Sequence, residues 1–120
     1  MKRIAYTKSE IVNIKRSLRV WEYLAKHGCD KENFYEAYPS AVKPKHKNDC
    51  HLCDSFRCAY PCDTRCPLVH RDGTTCYDYN HEFQIWYCLI RYSGIEEAKR
   101  WATKIRNRIR TAPNRIKEDP

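Results

Sequence analysis

Apolar and polar positions alternate with a helical period over most of the chain. Ile11, Ile14, Leu18, Trp21 and Ala25 fall on one face, with Lys8, Lys15, Arg19 and Lys26 opposite, which predicts a first helix. Thr7-Lys8-Ser9-Glu10 has the form of a capping box at its start, and Gly28 supplies a stop just past His27. A second, short helix is expected from Asp30, carrying Phe34, Tyr35 and Tyr38 until Pro39 ends it. Residues 39–49 hold two prolines and three lysines with almost no apolar content, and read as an extended linker. A segment of weak periodicity follows to residue 76. Helical spacing then returns over residues 78–92, with Tyr79, Phe83, Trp86, Tyr87 and Ile90 on one face and Ile85 and Leu89 beside it. So apolar a helix is expected to be the most buried of the set. Ser93-Gly94-Ile95-Glu96 repeats the capping-box pattern ahead of a last helix, whose stripe is Ile95, Ala98, Trp101, Ala102, Ile105 and Ile109 and which Pro113 should end. No internal repeat is visible.

A chain of 120 residues with 42% hydrophobic content builds a modest core, and a covalent or metal staple would help it. Eight cysteines supply the candidates. No apolar run has signal-peptide or transmembrane length, so the expectation is a cytoplasmic protein, away from membranes, whose reduced thiols favour metal over disulfides. Charge divides along the chain. Residues 1–20 carry a net +5, residues 21–90 a net −2 and residues 91–120 a net +5, so the total of +8 sits on the two ends.

The cysteines cluster as Cys50-His51-Leu52-Cys53, Cys58, Cys62, Cys66-Pro67 and Cys76. A C-x2-C turn points two sulfurs at one cation while free backbone amides soften the thiolate charge, and a second pair completes a tetrahedron. The preferred zinc ligands are Cys50, Cys53, Cys66 and Cys76. Cys66-Pro67 fixes a turn, and Cys76 precedes a helix whose positive end favours a thiolate. Cys62 and Cys58 are the alternates. An iron–sulfur cluster is the competing cofactor, although neither ferredoxin spacing is completed. Cys88 reads as a core residue and Cys29 has no assigned role. His51 and His70 are candidate ligands that read better as solvated loop histidines, and His81, near the start of a helix, is a further and less favoured ligand. The fold class expected is mainly α: four helices with an irregular zinc-stapled loop between helix pairs. Its divisions are 1–38 (a basic helical segment), 39–49 (linker), 50–112 (cysteine loop and helical hairpin) and 113–120 (tail).

The order Cys50-His51-Leu52-Cys53, Cys62, Cys66-Pro67-Leu68, Gly73 to Cys76, then an aromatic helix from Tyr79 to Trp86, resembles the small cysteine-motif proteins encoded by bacteriophages and prophages. The resemblance spans roughly residues 50–110. It implies a metal-binding helical protein acting in a bacterial host cytoplasm, and implies no activity. Cys58 and the long basic first helix depart from it.

Two functions follow as expectations. Lys15, Arg19, Lys99, Arg100, Lys104, Arg106, Arg108 and Arg110 would neutralise phosphates of a nucleic acid or nucleoprotein complex. Alternatively, a rigid zinc-stapled loop with surplus tyrosines would engage and modulate a host bacterial protein. No catalytic residue is assigned. H-E-x-x-H and the H-x-E…P-C-x-x-C pattern of zinc deaminases are both missing from the sequence, and its three glycines form no phosphate-cradling loop.

Overall fold

The computed structural model describes residues 2–3, 5–45, 50–56, 65–70, 72, 74–76, 78–92, 94–112 and 116–117, the side chains of 2–3 and 116–117 excepted. Among them are five helices and one short strand pair: β1 (Lys2–Arg3), α1 (Lys8–His27), α2 (Lys31–Ala37), α3 (His51–Phe56), α4 (Glu82–Tyr92), α5 (Ile95–Thr111) and β2 (Ile116–Lys117). The mainly α expectation holds, with a fifth helix where the sequence suggested irregular chain.

α1 forms where its signals place it. The Thr7 hydroxyl accepts from the Glu10 amide at 3.2 Å, and the Glu10 carboxylate accepts from the Thr7 amide at 2.8 Å. At the other end Gly28 adopts φ 66° and donates its amide to Leu24 O. α2 is capped by Asp30, which closes a box with Asn33. α4 starts four residues later than the apolar pattern suggested. Residues 78–81 turn instead, and His81 acts as the cap, its Nδ1 accepting from the Phe83 amide at 3.0 Å. α5 begins after Gly94, which makes no side-chain cap bond. Ser93 and Pro113 lie outside the described residues.

α1 and α5 run antiparallel along one another. Gly28 at the end of α1 abuts Ile95 at the start of α5, while β1 pairs antiparallel with β2 beyond the other ends, Lys2 opposite Lys117 and Arg3 opposite Ile116. Ile14, Val20, Trp21 and Leu24 of α1 meet Ala102, Ile105 and Ile109 of α5 in a single core. Phe34 of α2, Leu52 and Phe56 of α3, Leu68, and Trp86 of α4 close it. Trp21 and Trp86 pack edge to face at 4.8 Å, which docks the N-terminal helix on the aromatic one.

α4 reverses one expectation. It is the most apolar helix by sequence, yet Trp86 is its one buried residue. Phe83 and Ile90 pack partly against the core, while Tyr87, Cys88 and Tyr92 are exposed and Tyr79 is 95% exposed in the preceding turn. α5 lies on one side of α4 and Trp21 of α1 on another.

Candidate functional site

Cys50 precedes α3 and holds the place of an N-cap. Its sulfur accepts from the Cys53 thiol and from the backbone amides of Cys53 and Leu52. The Cys53 contact does most to favour the thiolate, the Lys31 ammonium and the two amides add to it, and together they outweigh burial to bring the Cys50 thiol down to about 6. C-x2-C is thus folded as a thiolate-accepting turn. It is set by the Cys53 N–H to Cys50 O bond at 3.1 Å and anchored by buried Leu52 and Phe56.

Cys50, Cys53 and Cys76 line one cavity of about 520 Å³, walled also by Leu68, Phe83, Gln84 and Trp86. Gln84 reaches back to hold Cys76 through its carbonyl at 2.6 Å. The buried Trp86 indole nitrogen has no hydrogen-bond partner among the described residues. An N–H donor orphaned on the wall of a thiol-lined cavity is what an acceptor there, such as a thiolate sulfur, would satisfy. Cys66 opens the Cys66–Val69 turn and packs against the core. Cys58 and Cys62 lie outside the described residues. Cys29, Cys50 and Cys88 are free thiols, and Cys88 is exposed on α4 rather than in the core.

The solvated reading of His51 and His70 is corrected, since neither is exposed. His51 is buried, its Nε2 3.1 Å from the Tyr35 hydroxyl. His81 is fully buried, bonded through Nε2 to the Leu68 carbonyl and through Nδ1 to the Phe83 amide. Burial pushes its imidazole below the ordinary value, so it stays neutral. His70 Nε2 lies 2.7 Å from Glu82 Oε2, while Arg108 Nε donates to Glu82 Oε1 at 2.9 Å. Burial would raise the Glu82 carboxyl, but its own backbone amide, Arg108 and His70 bring it down to about 2. Among the described residues, His70, His81 and Glu82 are the one group of three or more His, Cys, Asp or Glu whose ligand atoms all lie within 4.8 Å of one another. Because both His81 nitrogens and both Glu82 oxygens are already bonded within the protein, this group is a polar lock tying α4 to α5 and to the Leu68 turn.

The eight cations expected at phosphates separate by environment. Lys15 and Arg110 line one apolar groove between α1 and α5, with Ile11, Ile14, Leu18 and Ile109. Arg19 lies over Tyr38 at 4.8 Å, and Lys104 over Trp101 at 4.0 Å. Lys99 and Arg100 face Glu96 and Glu97 of their own helix at 3.5 and 3.9 Å, and Arg110 reaches Glu22 at 3.6 Å. Arg106 bonds the neighbouring Asn107 side chain. Arg108 is turned inward to Glu82 and is structural. Sequence reasoning missed the Glu10–Arg65 pair at 2.7 Å and the Glu82–Arg108 pair, both closed between distant segments.

No family model matches the chain, and no curated protein or solved structure matches it either. No helix among the described residues is long and apolar enough to cross a membrane.

Proposed function

We propose that the chain is a zinc-stapled helical accessory protein that binds nucleic acid, or a nucleoprotein complex, through the paired surfaces of α1 and α5. The observation that carries this reading is the antiparallel packing of α1 on α5, which brings together the two ends of the chain, each of net charge +5. Zinc is the proposed staple, held by Cys50 and Cys53 with Cys76 on the same cavity wall; Cys66, Cys62 and Cys58 are the candidates to complete the set. When bound, the cation would crosslink α3 to the turn before α4. The resemblance to phage and prophage cysteine-motif proteins agrees with a role in a bacterial host.

Fluorescence anisotropy with labelled duplex DNA and single-stranded RNA across a salt series tests the binding. Log affinity should fall linearly with log salt, and the double replacement Lys15→Glu with Arg110→Glu should weaken binding about tenfold and flatten the slope by roughly two. Absence of binding at low salt contradicts it. If a host lysate then yields a stoichiometric protein partner, the modulator of a host protein takes its place.

A further inference from the structure

A tryptophan buried in a folded chain ordinarily hydrogen-bonds through its indole N–H, because that donor is otherwise cut off from water with nothing in exchange. Trp86 is 3% exposed, and its Nε1 has no acceptor among the described residues. The ring is held in place. Trp21 packs edge to face on it at 4.8 Å, and Phe83 lies tilted against it at 6.0 Å. A phenylalanine would supply an aromatic ring to the same core without stranding a donor.

The cavity that Trp86 lines supplies both an acceptor and a reason to need a donor. Cys50, Cys53 and Cys76 share its wall, each half-buried. The Cys50 sulfur takes the backbone amides of Leu52 and Cys53 and feels the Lys31 ammonium. Lys31 in turn projects over the rings of Trp21 and Phe83, at 5.4 and 5.1 Å, the two that flank Trp86. Three thiolates already exceed the double charge of a zinc ion, so a sulfur set bound to metal here is anionic and is stabilised by every N–H aimed at it. Asp30 and Glu32 line the cavity too, which raises the need for donors. We infer that the Trp86 indole N–H donates to a metal-bound thiolate of this cavity and fixes its direction, which makes Trp86 a positioning residue of the metal centre. The inference rests on the zinc reading given above and assigns a role to the one side chain of α4 that is buried.

The test loads the full chain with zinc, in competition with a chromophoric chelator, and separately with cobalt(II), whose thiolate charge-transfer bands report on the sulfurs. Replacing Trp86 by benzothienylalanine, a ring of the same shape with sulfur in place of the N–H, should weaken zinc binding about tenfold or more and move the cobalt bands to lower energy. Trp86→Phe should do the same. Trp21→Phe, which keeps the donor, should leave the bands where they are. Without metal, the benzothienylalanine chain should melt no lower than the parent, because the stranded donor is gone; a purely structural role for the N–H predicts a lower melting point. Equal zinc affinity and unshifted cobalt bands in that chain overturn the inference and leave the zinc site standing. A lower melting point of its metal-free form also overturns it. A parent chain that takes up no zinc overturns the zinc reading, and the inference with it.

Discussion

Glu82 is the residue on which most of the polar architecture converges. One carboxylate oxygen takes Arg108 of α5 and the other takes His70 of the turn after Leu68, while its neighbour His81 caps α4. With its side chain 15% exposed and its carboxyl down at about 2, Glu82 is charged in the folded state well below the ordinary carboxylate value of 4.5. A depressed acid stabilises the fold fully above that ordinary value and loses its contribution as pH falls towards 2. Glu82→Gln should therefore cost about 2 kcal/mol at neutral pH and flatten the stability profile between pH 4.5 and 2, read by urea unfolding across pH. His81 adds a second slope. Its folded imidazole resists protonation while the unfolded one does not, so stability should fall as pH drops through about 6.5, and His81→Asn should remove that slope. Neither role was legible from sequence. Imidazole is not among the usual cap side chains, and Arg108 sits 26 positions from the carboxylate it meets.

At the scale of elements, legibility followed local signals. α1 was readable from end to end because Thr7, Glu10 and Gly28 act within a few residues of one another. α3 was not, since six residues with only Leu52 and Phe56 at i and i+4 leave too little periodicity. α4 was placed early because Tyr79 continues its apolar pattern while projecting into solvent. The α1–α5 junction makes the sharpest prediction at this scale. Gly28 has φ 66°, and a Cβ there would lie 2.8 Å from the Ile95 carbonyl oxygen. Gly28→Ala combines a left-handed backbone with a collision against main chain, and should lower stability by about 2 kcal/mol or more in urea unfolding. Thr7→Ala, which removes only a cap, should cost about 1 kcal/mol.

The whole molecule joins two features that lie apart in sequence. Its two basic ends come together as α1 packs on α5, and Cys50, Cys53 and Cys76 line one cavity with Trp86, whose indole nitrogen has no hydrogen-bond partner among the described residues. Spacing alone pointed to Cys50 and Cys53, because a C-x2-C turn is a local device. It added Cys66 on the strength of Cys66-Pro67, a turn that also seats Leu68 and Val69 in the core. Which sulfurs meet is a question of long-range packing, and spacing does not encode it.

The measurement that bears most directly on the zinc staple is metal content and thermal unfolding of the natively purified chain, before and after chelation. The account predicts about one zinc per chain, lost on Cys50→Ser or Cys53→Ser and retained on Cys29→Ser or Cys88→Ser, with chelation lowering the melting temperature by several degrees or more. A chain that carries no metal and melts identically with and without chelator would contradict it.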